Sequence, residues 1–231
     1  MVDGYLEDLN TTATQTSPWP NFCTGNHDHS RVASRLGDSF VDIMNMVTLM
    51  LPGTSFTYYG EEIGMVDGAS TGSDPRRAYQ TPMQWTSGAN AGFSDATPAF
   101  AQVNAGYETL NVETLEGVEN SHTHVYREVA SLRETETILF GSTKIVVEDT
   151  VFTLTRIRKG NPGYLLVSNF GNGEVTIEGL PEKVQHLAQR GTLTLGVPRD
   201  ENVPIGTQLD LTSLVIPPNQ SYLITFVPNF A

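Results

Sequence analysis

Cysteine is almost absent from the sequence. The single cysteine, Cys23, has no partner for an internal disulfide, so the fold depends on its core and its hydrogen bonds. Cys23 lies in an apolar run that begins at Trp19. This position predicts a buried structural thiol rather than a reactive nucleophile, because reactive cysteines need an electropositive and partly exposed setting.

Long apolar runs are absent as well. The longest, from Phe40 to Leu51, contains polar residues and falls short of the roughly 20 residues that span a bilayer. The sequence therefore predicts no transmembrane segment, and membrane association is not evident from it. Residues 1–5 have neither the basic nor the apolar part of a signal peptide. Triplets beginning at Asn10 and Asn219 match the N-glycosylation sequon, which favours an extracellular or secretory-pathway location.

Positive charge is scarce. Thirteen Lys and Arg residues stand against 26 Asp and Glu residues, which gives a net charge of −13 at pH 7. A nucleic-acid partner is excluded, because phosphate binding needs clustered basic residues. His122 and His124 are two residues apart on a predicted helix and point in different directions, so they predict no zinc site. The sequence also has no phosphate-binding loop and no serine triad, and it predicts no cofactor.

Three motifs carry the chemical information. The run WPNFCTGNHDHSR, from Trp19 to Arg31, reads as a strand that ends in Asn-His-Asp. The run LPGTSFTYYGEEIG, from Leu51 to Gly64, follows one predicted helix later and also ends in polar residues at a glycine turn. The third motif, QTPMQW, begins at Gln80 and is followed by NAGFS from Asn90. A strand, a helix and a second strand in this order are typical of a parallel α/β sheet.

The three motifs together resemble the last two strands of the catalytic barrel of glycoside hydrolase family 13. This is the α-amylase family, and the third motif resembles its maltase and oligo-1,6-glucosidase branch. The resemblance implies the C-terminal part of a (β/α)8 TIM barrel followed by an all-β sandwich. It also implies a retaining α-glucosidase that hydrolyses maltose and short oligosaccharides, with a nucleophile and an acid/base upstream of Met1. Such a chain is expected to be inactive alone.

The same resemblance assigns the site residues. Asp28 corresponds to the third family acid, the transition-state stabiliser, because a carboxylate favours a sugar ring that gains positive charge. His27 and Asn26 are expected to bind the same sugar. Arg31 matches the arginine that follows this motif in the family, and the alternatives for it are substrate contact, pairing with an acid, or a solvated position in the first turn of a helix.

Several neighbouring residues need a separate interpretation. Glu61 and Glu62 end the second run, but the family takes its working carboxylates from other strands, so structural ion pairs are predicted for them. Gln80 replaces an arginine of the maltase branch, and Arg76 and Arg77 are candidates to compensate for the lost charge. Trp85 is predicted to lie in the core rather than under a sugar.

A change in residue pattern along the sequence divides the chain into two predicted domains. Residues 1–135 are assigned to the barrel, with helices at Arg31–Leu36, Ser39–Leu51 and Ser121–Arg133. The segment from Gly64 to Glu116 is rich in loop residues and is expected at the rim of the site. Residues 136–231 contain short alternating runs separated by Gly, Asn and Pro, which are typical of an antiparallel sandwich.

A second function from a different class stays open. Heavy-chain subunits of amino-acid transporters are non-catalytic members of the same family and share parts of the second and third motifs. Asn26, His27 and Asp28 favour the enzyme, and Gln80 favours the transporter subunit. For the enzyme, the expected partner is a small α-glucoside.

Overall fold

A computed structural model describes residues 19–69, 73–96 and 101–230 of the chain. Its contacts divide the chain into two units. The site unit contains the described residues of Asn21–Thr48 and Ser55–Val129. The β unit contains those of Met1–Pro20, Leu49–Thr54 and Ala130–Ala231. The predicted boundary between residues 135 and 136 stays a prediction.

The described residues between 19 and 132 hold two short strands and four helices. Strands β1 (Asn21–Cys23) and β2 (Thr54–Phe56) form a two-stranded sheet. The helices are α1 (Val32–Leu36), α2 (Val41–Met50), α3 (Val112–Leu115) and α4 (His122–Leu132). Single 3-10 turns occupy Asp38–Phe40, Glu61–Ile63, Pro75–Gln80 and Ala89–Gly92. The three predicted helices, α1, α2 and α4, therefore begin and end within two residues of the predicted bounds, whereas α3 was not predicted.

Two small apolar clusters lie among the described residues of the site unit. Val32, Ala33 and Val41 pack together beside Met44. A second cluster surrounds Ile63, and its members are Met65, Met83, Val112 and Leu115. This second cluster fixes the segment after β2 against the segment that carries the third motif.

The second half of the chain begins with helix α5 (Glu136–Phe140) and continues as strands. A six-stranded antiparallel sheet has the order β3-β4-β5-β10-β7-β8, and a two-stranded antiparallel sheet pairs β6 with β9. The strands are β3 (Ser142–Glu148), β4 (Val151–Ile157), β5 (Gly163–Asn169), β6 (Val175–Glu178), β7 (Arg190–Val197), β8 (Gln208–Asp210), β9 (Ser213–Ile216) and β10 (Ser221–Phe226). Helix α6 (Leu180–Lys183) follows β6.

Both sheets contribute to one core. Leu165 and Ile224 come from the central strands of the large sheet, and Ile177 and Leu214 come from the small one. Every residue of β5 is buried, as expected for a central strand covered on both faces. Strand β7 alternates between buried and less buried positions, which is the period-two pattern of a sheet with one solvated face.

Asn169 closes the end of the large sheet. Its side chain is fully buried, and Nδ2 donates to the carbonyls of Gly173 at 2.8 Å, Pro217 at 3.1 Å and Ile216 at 3.2 Å. Its Oδ1 accepts from the amide of Gly171 at 2.9 Å. One amide side chain therefore supplies donors and an acceptor to the ends of two strands.

Two arginines explain why Leu49–Thr54 belongs to the β unit. Arg133 donates to the carbonyl of Leu49 at 2.6 Å and to that of Gly53. Arg156 is almost fully buried and donates to the carbonyls of Met50 at 3.1 Å and Ile138. Carbonyls at the end of a helix have no partner within the helix, so these guanidinium groups satisfy them.

The structure overturns the prediction for Cys23. Its side chain is exposed, not buried. The reason is that, within the described segments, β1 pairs with β2 alone, and Phe56 of that strand is also exposed. A two-stranded sheet leaves much of its surface uncovered. Among residues 19–69, 73–96 and 101–230, no helix combines the length and the apolar character needed to cross a bilayer.

Candidate active site

The loop after β1 presents a carboxylate beside an imidazole. Oδ2 of Asp28 lies 3.3 Å from Nε2 of His27, and about half of the Asp28 side chain is exposed. Asn26 shapes this loop, because its Oδ1 accepts from the amide of Asp28 at 2.8 Å and lies 3.1 Å from Nδ1 of His29. This is an Asx turn, in which a side chain hydrogen-bonds to the backbone two residues ahead. Asn26 orients the loop that carries Asp28 and His27.

Arg31 ends the same loop and is fully buried. Its guanidinium donates to the carbonyls of Tyr59 at 2.6 Å and Tyr79 at 3.1 Å. It also lies 4.7 Å from the centroids of both the Tyr58 and the Tyr59 rings, which is cation–π distance. The substrate contact expected of Arg31 stays a prediction, and in this structure its guanidinium serves the packing of three segments.

Two tyrosines after β2 hold the third motif in place. The Tyr58 hydroxyl donates to the carbonyl of Tyr79 at 3.0 Å, and the Tyr59 hydroxyl donates to that of Thr81 at 2.7 Å. Burial, with a smaller contribution from Tyr59, raises the pKa of Tyr58 to about 12. The Tyr58 hydroxyl therefore stays a protonated donor at neutral pH. The two hydrogen bonds place Gln80 between two anchored residues.

Gln80 and Arg76 reach the Asp28 loop from this motif. Nε2 of Gln80 donates to the carbonyl of His27 at 3.0 Å. Nη1 of Arg76 lies 3.4 Å from Oδ1 of Asp28, while Asp74 holds the same guanidinium through Nε and Nη2. Asp74 raises the pKa of Arg76 further, so this cation does not titrate. A positive charge thus stands beside Asp28 although Gln80 itself is neutral.

The predicted ion pairs of Glu61 and Glu62 are wrong for the residues that the structure describes. Glu61 Oε1 accepts from the amide of Val32 at 3.2 Å, and Glu62 Oε2 accepts from that of Gly60 at 2.8 Å. Burial raises the pKa of both carboxyl groups. Backbone amides take the place of the expected cations, because the start of α1 presents the amide of Val32 to Glu61 and the turn at Gly60 presents its own amide to Glu62.

Asp67 is a site residue that the sequence did not single out. Its Oδ1 accepts from the amide of Arg31 at 2.9 Å, and its Oδ2 accepts from the hydroxyl of Ser30. The amide of Asp67 donates in turn to Ser34 at 2.7 Å. More than 30 residues separate Asp67 from these partners, so no local pattern could have revealed the contact.

The prediction for Trp85 has an outcome as well. Trp85 is 48% exposed, so the prediction of a core position is wrong, and its indole faces solvent. Within the part of the chain that the structure describes, no three His, Cys, Asp or Glu side chains are grouped so that they could hold a metal ion. The chemistry available at this site comes from the carboxylate, imidazole, guanidinium and amide groups around Asp28.

The sequence of this chain is similar to those of known proteins. The family model for the alpha amylase catalytic domain matches residues 4–141. Maltase A2 of Drosophila melanogaster is 38% identical over 191 residues, covering 79% of this chain and 34% of that protein. The human amino acid transporter heavy chain SLC3A1 is 34% identical over 188 residues, covering 72% of this chain and 26% of that protein.

A solved structure gives the same picture of the fold. Trehalose-6-phosphate hydrolase of Bacillus licheniformis superposes with a TM-score of 0.78 at 20% identity, covering 97% of this chain and 46% of that one. The chain spans about a third of the length of the curated relatives that it matches. Since the family model matches more than half of the sequence, the chain belongs to glycoside hydrolase family 13, the alpha-amylase family.

Proposed function

We propose that the chain corresponds to the C-terminal portion of a retaining α-glucosidase of the maltase type. In this proposal Asp28 is the carboxylate that stabilises the transition state, and His27 binds the hydroxyls of the same glucose unit. The nucleophile and the acid/base come from residues that this sequence does not contain. The substrate class is a small α-glucoside such as maltose.

One observation carries the proposal. The Asp28 carboxylate faces solvent and lies 3.3 Å from the His27 imidazole. Hydrogen bonds hold the loop that carries it, from the Asp28 amide to Asn26 and from the Arg31 amide to Asp67. A carboxylate that only capped the following helix would not need a loop held by hydrogen bonds in this way. A fixed anion beside a sugar ring that gains positive charge binds the transition state better than the ground state.

The architecture fits the same proposal. Residues 21–129 supply two strands and their helices, and we assign them to the last part of a (β/α)8 barrel. The six-stranded and two-stranded sheets share one core, and we assign them to a C-terminal β-sandwich. The salivary alpha-glucosidase of Aedes aegypti, 35% identical over 188 residues, supports an extracellular location for this protein.

Binding of a cationic glucose analogue tests the proposal. The probe is an iminosugar with a protonated nitrogen in place of the ring oxygen, which imitates the charge of the transition state. We expect millimolar binding that shifts the amide resonances of His27 and Asp28, and loss of these shifts in Asp28→Asn. Asp149→Asn is the matched control, because Asp149 is an exposed acid in the turn after β3. Unchanged binding in Asp28→Asn would refute the role of this carboxylate.

The relationship to SLC3A1 supports a second candidate, a non-catalytic subunit of an amino-acid transporter. Gln80 fits this candidate, because it donates to the backbone of His27 and brings no charge of its own. A transporter subunit has no need to recognise the charge of a glycosidic transition state. A folded chain that binds neither glucose nor the iminosugar would favour this candidate over the α-glucosidase.

A further inference from the structure

Glu61 is a buried acid that the proposed chemistry does not use. Its side chain and backbone together are only 2% exposed. It begins the 3-10 turn Glu61–Ile63, and Gly60 and Gly64 flank that turn with left-handed backbone angles, φ 89° and 73°. Asn45 Nδ2 donates to the carbonyl of Glu61 at 3.1 Å. The backbone of Glu61 is therefore fixed before its side chain makes any contact.

The carboxylate of Glu61 contacts both ends of the loop that carries Asp28. After the loop, Oε1 accepts from the amide of Val32 at 3.2 Å. Before the loop, Oε1 occupies the space beside Gly25, since a Cβ added there would lie 2.2 Å from this oxygen. One oxygen thus spans the gap between the residue before Asn26 and the residue after Arg31.

We propose that Glu61 is a positioning residue, whose buried carboxylate fixes the two ends of the loop from Gly25 to Val32 and thereby places His27 and Asp28. The inference rests on the proposed function, because it concerns the carboxylate that would meet the sugar. It also explains why position 25 is a glycine, since any larger residue would displace the oxygen. Without the acceptor, the amide of Val32 would be buried and unpaired, which is costly.

Glu62 offers a matched control on the same turn. It is also an acid with a raised pKa, and burial is the main cause in both residues. Its Oε2 accepts from the amide of Gly60, two residues away in its own segment. Removal of either side chain thus deletes one carboxylate whose pKa burial raises, but among the described contacts only those of Glu61 reach the Asp28 loop.

Amide hydrogen exchange on the whole chain tests the proposal. We expect Glu61→Ala to raise exchange at the amides of residues 26–32 by about tenfold. The amides of Leu165 and Leu166 in β5 should stay unchanged. Glu61→Gln keeps an acceptor oxygen and should restore protection to within about threefold of the parent chain. Glu62→Ala should change exchange near Gly60 and leave residues 26–32 as they were.

Gly25→Ala perturbs the same contact from the other side. The added methyl meets Oε1 of Glu61, so the same local rise in exchange is expected even if Glu61→Ala folds poorly. Unchanged exchange at residues 26–32 in Gly25→Ala would overturn the proposal. So would an equal rise in Glu62→Ala, because it would show general loosening of the turn rather than release of one loop.

Iminosugar binding separates this proposal from the proposed function. If the parent chain binds the probe, Glu61→Ala should weaken binding about fivefold or more, and Glu62→Ala should not. Equal binding by the parent chain and Glu61→Ala would overturn the positioning role and leave the function intact. If the parent chain does not bind, the proposed function fails, and the exchange experiment still decides whether Glu61 fixes the loop.

Discussion

Nδ1 of His122 lies 2.8 Å from Oδ1 of Asp42, so the first residue of α4 is paired with the first turn of α2. On the other side of the ring, Nε2 lies 3.1 Å from Oδ1 of Asp38. The His122 and Asp42 side chains are 17% and 16% exposed, whereas Asp38 is 81% exposed. Burial alone would lower the pKa of His122, but the two carboxylates outweigh it and raise the pKa to about 9.

The first prediction is a loss of stability in mild alkali. The pKa of His122 is about 9 in the folded chain and 6.5 in the reference state. Stabilisation by the charged ring is therefore complete below pH 6.5 and is lost as pH rises through 9. We expect the unfolding free energy to fall by about 2 kcal/mol over this window, after discounting the exposed Asp38 for solvent screening. Denaturant unfolding at several pH values measures it.

His122→Gln and His124→Gln provide the comparison. The first variant should be less stable at pH 6 and should lose most of the dependence on pH between 6.5 and 9. The second should keep the dependence of the parent chain, because no contact of the His124 ring with an acid is seen among the described residues. A pH profile that survives in His122→Gln would contradict the pairing as its cause.

The second prediction concerns Asn169. Asn169→Asp keeps the shape of the side chain, but it removes donors to the carbonyls of Gly173, Ile216 and Pro217 and buries a negative charge among them. We expect a loss of about 3 kcal/mol or more at neutral pH. Asn172→Asp, at an exposed position nearby in sequence, should change stability by less than about 0.5 kcal/mol. Thermal melting of both variants measures the difference.

The third prediction is that this chain alone releases no glucose from maltose or from a nitrophenyl α-glucoside. Asp28 and His27 can bind and polarise, but a retaining mechanism also needs a carboxylate that attacks and an acid that protonates. Glu61 and Glu62 do not meet that need, because backbone amides engage both carboxylates. Turnover that disappears in Asp28→Asn would reverse this conclusion and make one of the two glutamates a catalytic candidate.

The fourth prediction is unequal protection along the chain. Strands β3–β10 share one core and pair on most of their edges, whereas β1 and β2 pair only with each other among the strands that the structure describes. We expect amides after Thr137 to exchange at least about tenfold more slowly than those before Glu116. The exposed apolar side chains of Trp19, Phe56 and Phe93 should also promote association. Equal protection in a monomer would refute this expectation.

The local sequence pattern predicted the bounds of helices better than it predicted which of their side chains are buried. The helix α4 agrees with its predicted bounds to within one residue at each end. Burial along α2 is harder to predict: Ile43 and Met46 are fully buried, but Met44 and Val47 are only partly buried. A 3-10 turn before the helix delays its start to Val41.

At the site, too, the sequence predicted the local motif but not the distant residues that support it. The Asn-His-Asp motif predicted a carboxylate at the end of a strand, because the signal lies within three adjacent residues. The supports of that motif come from Glu61, Asp67 and Gln80, which are distant in sequence. Such contacts depend on how the loops fold against each other. Neither the periodicity of apolar residues nor the spacing of motifs predicts them.

The chain's two tryptophans, Trp19 and Trp85, both precede β3, and both are exposed. The core shared by the two sheets contains the ring of Tyr222 but no indole. Indole fluorescence consequently reports on the first 85 residues. In the native chain its emission maximum is already that of a solvent-exposed indole. A sample whose sheets had melted would show almost the same indole emission, whereas the near-ultraviolet dichroism of Tyr164 and Tyr222, which are buried in the large sheet, would be lost.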